Sequence, residues 1–131
     1  MTATSQSLSS EPLTRDDCLA LLDSADLARV VLSVRCLPAA LPARIALIRD
    51  DHLVLSSRES AVILAARRGD VLSVQIDGMD DNGCTWSVMV SGIASNAEPD
   101  ELQIPRIEAS RERGATLLAL PLSVVIGQRG H

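Results

Sequence analysis

Residues 53–77, LVLSSRESAVILAARRGDVLSVQID, constrain the fold more than any other stretch of the chain. LVLSS is built from branched and apolar residues, and VLSVQID alternates apolar with polar, so each reads as a strand. Between them SRES is a polar turn. AVILAARR places its apolar residues on one side at helical spacing. Strand, turn, helix and strand in direct succession make a crossover unit, and the remaining strands must pack around it. The turn also gathers hydroxyls, an arginine and a helix start, which makes it the best place in the chain for an anionic ligand.

The other elements follow in order. Residues 1–13 are rich in serine and threonine with little to bury, and they read as a disordered tail; the folded domain then spans 14–131. A length of 131 residues is one domain. Thr14 is placed as an N-cap with Asp17 completing a capping box, so 14–24 reads as a short helix with Cys18, Leu21, Leu22 and Ala25 on one face. Residues 28–35 are strand one, 36–38 a turn and 40–48 strand two, with Pro42 favouring an edge or a bulge. Arg49, Asp50 and Asp51 form a tight turn before strand three at 52–57. After the helix near 60–67 comes strand four at 71–77, and Asn82-Gly83 marks a hairpin. Strand five covers 85–95, with Trp86, Val88, Val90 and Gly92 on one face. Glu98, Pro99 and Asp100 start another helix, broken at Pro105 and ended by Gly114. Residues 117–126 read as the last strand, with Pro121 at an edge or bulge. Six strands, one crossover helix and a helix on each flank describe a mainly β protein, a small six-stranded barrel.

Composition removes several functions. Aromatic residues are 1% of the chain, and Trp86 is alone, so the core must be Leu, Val, Ile and Ala. A net charge of −5 and the lack of a stacking platform argue against nucleic acid as a partner. All 12 basic residues are arginine. Without lysine there is no Schiff-base lysine, no P-loop lysine and no serine–lysine dyad. Cys18, Cys36 and Cys84 are odd in number and lack C-x-x-C spacing, so they read as reduced thiols. No signal peptide and no membrane-spanning run is evident, and the expectation is a cytoplasmic protein without a membrane partner. His52 and His131 have no ligand-spaced companions, so no metal site is expected.

Five segments resemble the FMN-binding split barrel of the pyridoxamine 5′-phosphate oxidase-like superfamily, above all its small actinobacterial and nitroimidazole-resistance-type members. They are the opening at 18–30, LPARIALI at 41–48, the crossover at 55–77, the tryptophan strand at 83–92 and LPLSVVIGQR at 120–129. The resemblance implies a homodimer with FMN in a groove between subunits. It implies Ala43, Arg44 and Ile45 at the isoalloxazine ring, Ser56 and Ser57 at the ribityl chain and phosphate, and Arg58 and Ser60 as phosphate partners. Trp86 and Ser87 would come from the other subunit.

The chain departs from the family pattern at the phosphate turn. Valine 62 stands where a phosphate-binding lysine is expected, Ser60 replaces a glycine, and Glu59 adds a negative charge. Losing one charge-assisted donor costs about 1.5–3 kcal/mol. Each candidate also has an ordinary structural explanation. The serines suit turn chemistry and helix capping. Arg58, Arg67 and Arg68 suit solvent or pairing with Glu59 and Asp70, Arg44 can face groove or solvent, and Trp86 suits core or dimer packing. Two functions therefore stand side by side: a flavin-dependent oxidoreductase of unknown substrate, and a non-enzymatic split-barrel homodimer that has lost flavin or binds another small ligand in its groove. FMN is the implied cofactor; a deazaflavin would want a broader basic groove, and haem would have only His52 as an internal ligand.

Overall fold

The computed structural model describes residues 10–97 and 114–130. Their elements run β1 (Ser10–Pro12), α1 (Arg15–Ser24), β2 (Leu27–Val34), β3 (Leu37–Ile48), β4 (His52–Ser57), α2 (Ser60–Arg68), β5 (Val71–Met79), β6 (Thr85–Ile93), β7 (Ser95–Asn96), β8 (Thr116–Pro121) and β9 (Val124–Gly130). The helix expected between 98 and 112 lies outside the described residues, as do residues 1–9 of the expected tail.

Nine strands, not six, form one sheet in the order β1-β9-β6-β5-β2-β3-β4-β8-β7. The hydrogen-bonded order is open, with β1 and β7 at its ends. Three differences account for the count. Ser10–Pro12, expected in the tail, pairs antiparallel with Gln128–Gly130. Two-residue β7 separates from β6 after Ile93 and pairs with β8. The expected strand at 117–126 is two strands, broken at Leu122 and Ser123 just after Pro121. Its first half pairs with β4 and its second with β6, so this short break carries the chain from one side of the sheet to the other.

The sheet is rolled. β6 and β8 lie five strand intervals apart in the order, about 24 Å on a flat sheet. Yet a Cβ built on Gly92 of β6 would lie 3.4 Å from Leu120 of β8. The rolled inner face encloses one aliphatic core that includes Leu22, Val30, Ile45, Leu55, Val74, Val88 and Leu120. This is the core that a chain with so few aromatics must build. β4 is buried on both faces. Leu53 and Leu55 enter the main core, and Val54 joins Ala46, Ile48 and Leu117 in a second cluster behind it.

The capping and turn chemistry explains the element ends. Thr14 Oγ1 accepts the Asp17 N–H at 3.1 Å, and the Thr14 N–H donates back to the Asp17 carboxylate at 3.4 Å, closing the capping box of α1. Cys18 and Leu22 then bury against the sheet. At Gly127 of β9 an added Cβ would lie 2.4 Å from Cys18 Sγ, so only glycine lets α1 sit this close. The β2–β3 turn is Arg35-Cys36 rather than 36–38. Both residues are left-handed, with φ of 53° and 66°, and Val34 pairs directly with Leu37. That is the backbone of a two-residue hairpin, here made without the asparagine or glycine that signals one.

Candidate functional site

α2 forms one wall of a side cavity. β4 ends at Ser57, and the chain must cross β3 and β2 to reach β5, so α2 lies over the end of β2. Its start is organised by Ser57, whose hydroxyl is buried and accepts the Glu59 N–H at 3.1 Å. Its end is Gly69 at φ 75°, whose N–H donates to Ala65 and Ala66. Ala65 and Val62 turn inward, and Val62 is fully buried. The opposite face, with Ser60, Ile63, Leu64 and Arg67 at i, i+3, i+4 and i+7, borders a cavity of about 690 Å³. Ser33, Val34 and Arg35 of the β2 end close it on the other side, with Thr116 of β8 and Arg68.

The chemistry of this lining is one-sided. Three arginines and three hydroxyls border the cavity, and none of the lining residues is acidic. Arg68 is paired with Asp70 at 3.0 Å. Among the described residues, no carboxylate lies within ion-pair distance of Arg35 or Arg67. Ser60 and Ala61 open the helix, where the first N–H groups have no partner inside the helix and the dipole favours an anion. The donor set therefore fits a phosphate.

A second cavity of about 580 Å³ lies at the β5–β6 end. Trp86 is half-buried and shares the inward face with Val88 and Val90, packed on the core. Gly78 lies directly across from it on β5. A Cβ there would sit 2.6 Å from the indole Cζ2. Ser87 points to the other face, and Asp77 is the charged residue of the lining, which also includes Thr85 and Gln128. Next to this cavity the Asp80 carboxylate pairs with Arg129. Burial alone would raise the Asp80 pKa. The Cys84 and Asn82 N–H groups, each 2.9 Å from Oδ1, outweigh it with help from Arg129 and hold the carboxyl below the usual aspartate range.

The nine sequence-derived site residues thus fall into separate places. Arg44 and Ser56 are cross-strand partners on the face of the second cluster, with Ser56 buried and Arg44 exposed. Ala43 and Ile45 are buried on the core face, and the Ile45 N–H donates to the Asp26 backbone carbonyl. Ser57 is engaged in its own turn, Arg58 is exposed beside Gly114, and Ser60 borders the α2 cavity. Trp86 and Ser87 border the other cavity. β4 pairs with β3 only along 44–48, so along 37–43 β3 has β2 on one side and no strand among the described residues on the other. Pro42 lies in this one-sided stretch, where a missing N–H is tolerated. Ser33, Arg35 and Thr116 escaped the sequence reading, because only the crossover brings them to α2. His52, the internal haem-ligand candidate, is bonded through Nδ1 to Asp51 at 2.9 Å. That contact is the leading reason the Asp51 carboxyl lies below its ordinary pKa. Cys18, Cys36 and Cys84 are free thiols, and burial pushes the Cys18 thiol up. Among the described residues no group of three His, Cys, Asp or Glu could hold a metal ion, and no helix is long and apolar enough to cross a membrane.

The same fold occurs in solved proteins. An FAD-binding protein from Mesorhizobium loti superposes with a TM-score of 0.75 at 19% identity, covering 93% of this chain and 97% of that one. A protein from Bacteroides thetaiotaomicron named for 5-nitroimidazole antibiotic resistance gives 0.71 at 14% identity, covering 92% and 87%. An FAD and heme binding protein from Mycobacterium smegmatis gives 0.71 at 18% identity, covering 94% and 74%. Identities this low establish a shared fold. No curated protein matches the sequence. The family model for pyridoxamine 5′-phosphate oxidase matches residues 14–113, and the chain belongs to that family.

Proposed function

We propose that the chain binds a flavin nucleotide, FMN or FAD, as a homodimer and serves as a flavin-dependent oxidoreductase of the cytoplasm. The observation that carries this reading is the α2 cavity, with three arginines, three hydroxyls and a helix start around one space and no acid in its lining. A flavin phosphate is a ligand of matching charge, and Ser60, Thr116 and the N–H groups of the α2 start would hold it. The one-sided edge of β3 offers backbone donors and acceptors to the polar edge of a flat ring. When bound, the flavin supplies the hydride and electron chemistry, while the protein binds and orients it. Relatives of the same fold named for FAD binding support the choice of ligand. The outer face of the sheet supports the dimer. Val71, Met79, Ile93, Val124 and Ile126 are each about half exposed or more, on adjoining strands β5, β6 and β9. A partner seated on such a face would bring its own Ser87 to the contact.

A second reading is a homodimer that holds another small ligand without flavin. Val62 favours it, because the position expected to carry a phosphate-binding lysine belongs to the core. Purified protein should show a flavin spectrum or, when colourless, saturable quenching of Trp86 fluorescence by FMN and weaker quenching by riboflavin. No quenching by either at high concentration overturns the flavin reading.

A further inference from the structure

We propose that Arg35 and Arg67 form a second anion subsite in the α2 cavity, so that the pocket prefers a diphosphate-bearing flavin nucleotide to a monophosphate. The proposal rests on the flavin reading above and assigns the residues that would choose between nucleotides. Its first support is a charge surplus. The chain as a whole is acidic, at −5, yet two guanidiniums without carboxylate partners among the described residues border one cavity. The third, Arg68, is matched by Asp70. A monophosphate satisfied by the α2 start, Ser60 and Thr116 leaves Arg35 and Arg67 with no counter-charge among the described residues.

Position supplies the second support. Ser60 and Arg67 lie on one face of α2, about 10 Å apart along its axis. Helical side chains lean towards the N-terminus, a lean that would carry the Arg67 guanidinium towards Ser60 and narrow that gap. Arg35 approaches from the opposite wall, at the tip of the β2–β3 hairpin. A phosphate at Ser60 and a second one bound to it would both lie between these walls. The space of about 690 Å³ is of nucleotide-site size, and Val34, Ile63 and Leu64 give it apolar surface beside the charges.

Isothermal titration of riboflavin, FMN, FAD and ADP into the wild type, Arg35→Gln and Arg67→Gln tests this, with circular dichroism to check the fold. FAD should bind about tenfold tighter than FMN. Each variant should weaken FAD by about tenfold while leaving riboflavin unchanged, the usual scale for one charged hydrogen bond. Equal wild-type affinities for FMN and FAD, or an unchanged FAD affinity in both variants, overturn the subsite and leave the flavin reading intact. Failure of every flavin to bind removes the flavin reading, and ADP then decides the subsite. ADP binding that is lost in the variants retains a diphosphate site, and absence of ADP binding eliminates it.

Discussion

The two cavities are built by opposite means. The Trp86 cavity exists because one large ring lies on a glycine at the open end of the core, so its shape depends on packing. The α2 cavity is bordered by exposed side chains of a helix whose buried face does the structural work on its other side. Substitutions at the first should therefore cost stability, and substitutions at the second should cost ligand. Val62 and Arg67 lie on the same helix, yet Val62 is buried in the core and Arg67 borders the cavity.

The largest effect should come from Gly78→Val. The new Cβ would meet Trp86 at 2.6 and 2.9 Å, so the ring must leave its place or the strands must part. Overpacking of this kind costs about 1–3 kcal/mol. Urea unfolding followed by Trp86 emission should show an earlier midpoint and a red-shifted folded state. A wild-type midpoint would mean that the ring does not depend on the glycine.

Ser57→Ala comes next. Its buried hydroxyl accepts the Glu59 N–H in the turn before α2, and losing one such hydrogen bond costs about 1 kcal/mol. Weakened FMN binding with wild-type stability would instead make Ser57 a ligand residue.

Asp80→Asn sharpens the comparison by pH. The folded-state pKa of Asp80 is lowered, so its contribution is fully present above the ordinary aspartate pKa. It is lost as pH falls through the lower folded value. The stability gap between wild type and variant should be constant near neutrality and close in acid. A gap that stays open in acid would assign the loss to packing.

The smallest stability change belongs to Ser60→Ala, at under about 0.5 kcal/mol for an exposed first-turn position. Its effect should fall on FMN affinity, lowered several-fold with riboflavin unaffected. A large stability loss there would erase the distinction between the two cavities.

Much of the molecule was legible as pattern. The capping box of Thr14 and Asp17, the strand at His52–Ser57 and the hairpin at Asn82-Gly83 rest on local chemistry that works within a few residues, and they stand as read. The misreadings have physical reasons. β1 and β7 are too short for periodicity, and an edge strand exists only because a neighbour offers hydrogen bonds. Residues 117–126 are apolar except for Ser123, so Pro121 read as an edge or bulge within one strand rather than as the approach to the break where the chain changes sides. Arg35 and Cys36 adopt left-handed backbone without a turn-forming residue to announce it.

The candidate site divides along the same line. An all-aliphatic core, a crossover helix after β4 and the absence of lysine chemistry follow from residue types and their spacing, which any partner in space must respect. That Ser33 and Arg35 meet Ser60, Arg67 and Thr116 follows only from the strand order, since β2 lies between β5 and β3 and α2 must pass over its end. The same order sends Val62 into the core and separates Trp86 from the α2 cavity. Spacing along a chain determines which face a side chain takes; only the completed sheet decides what that face meets.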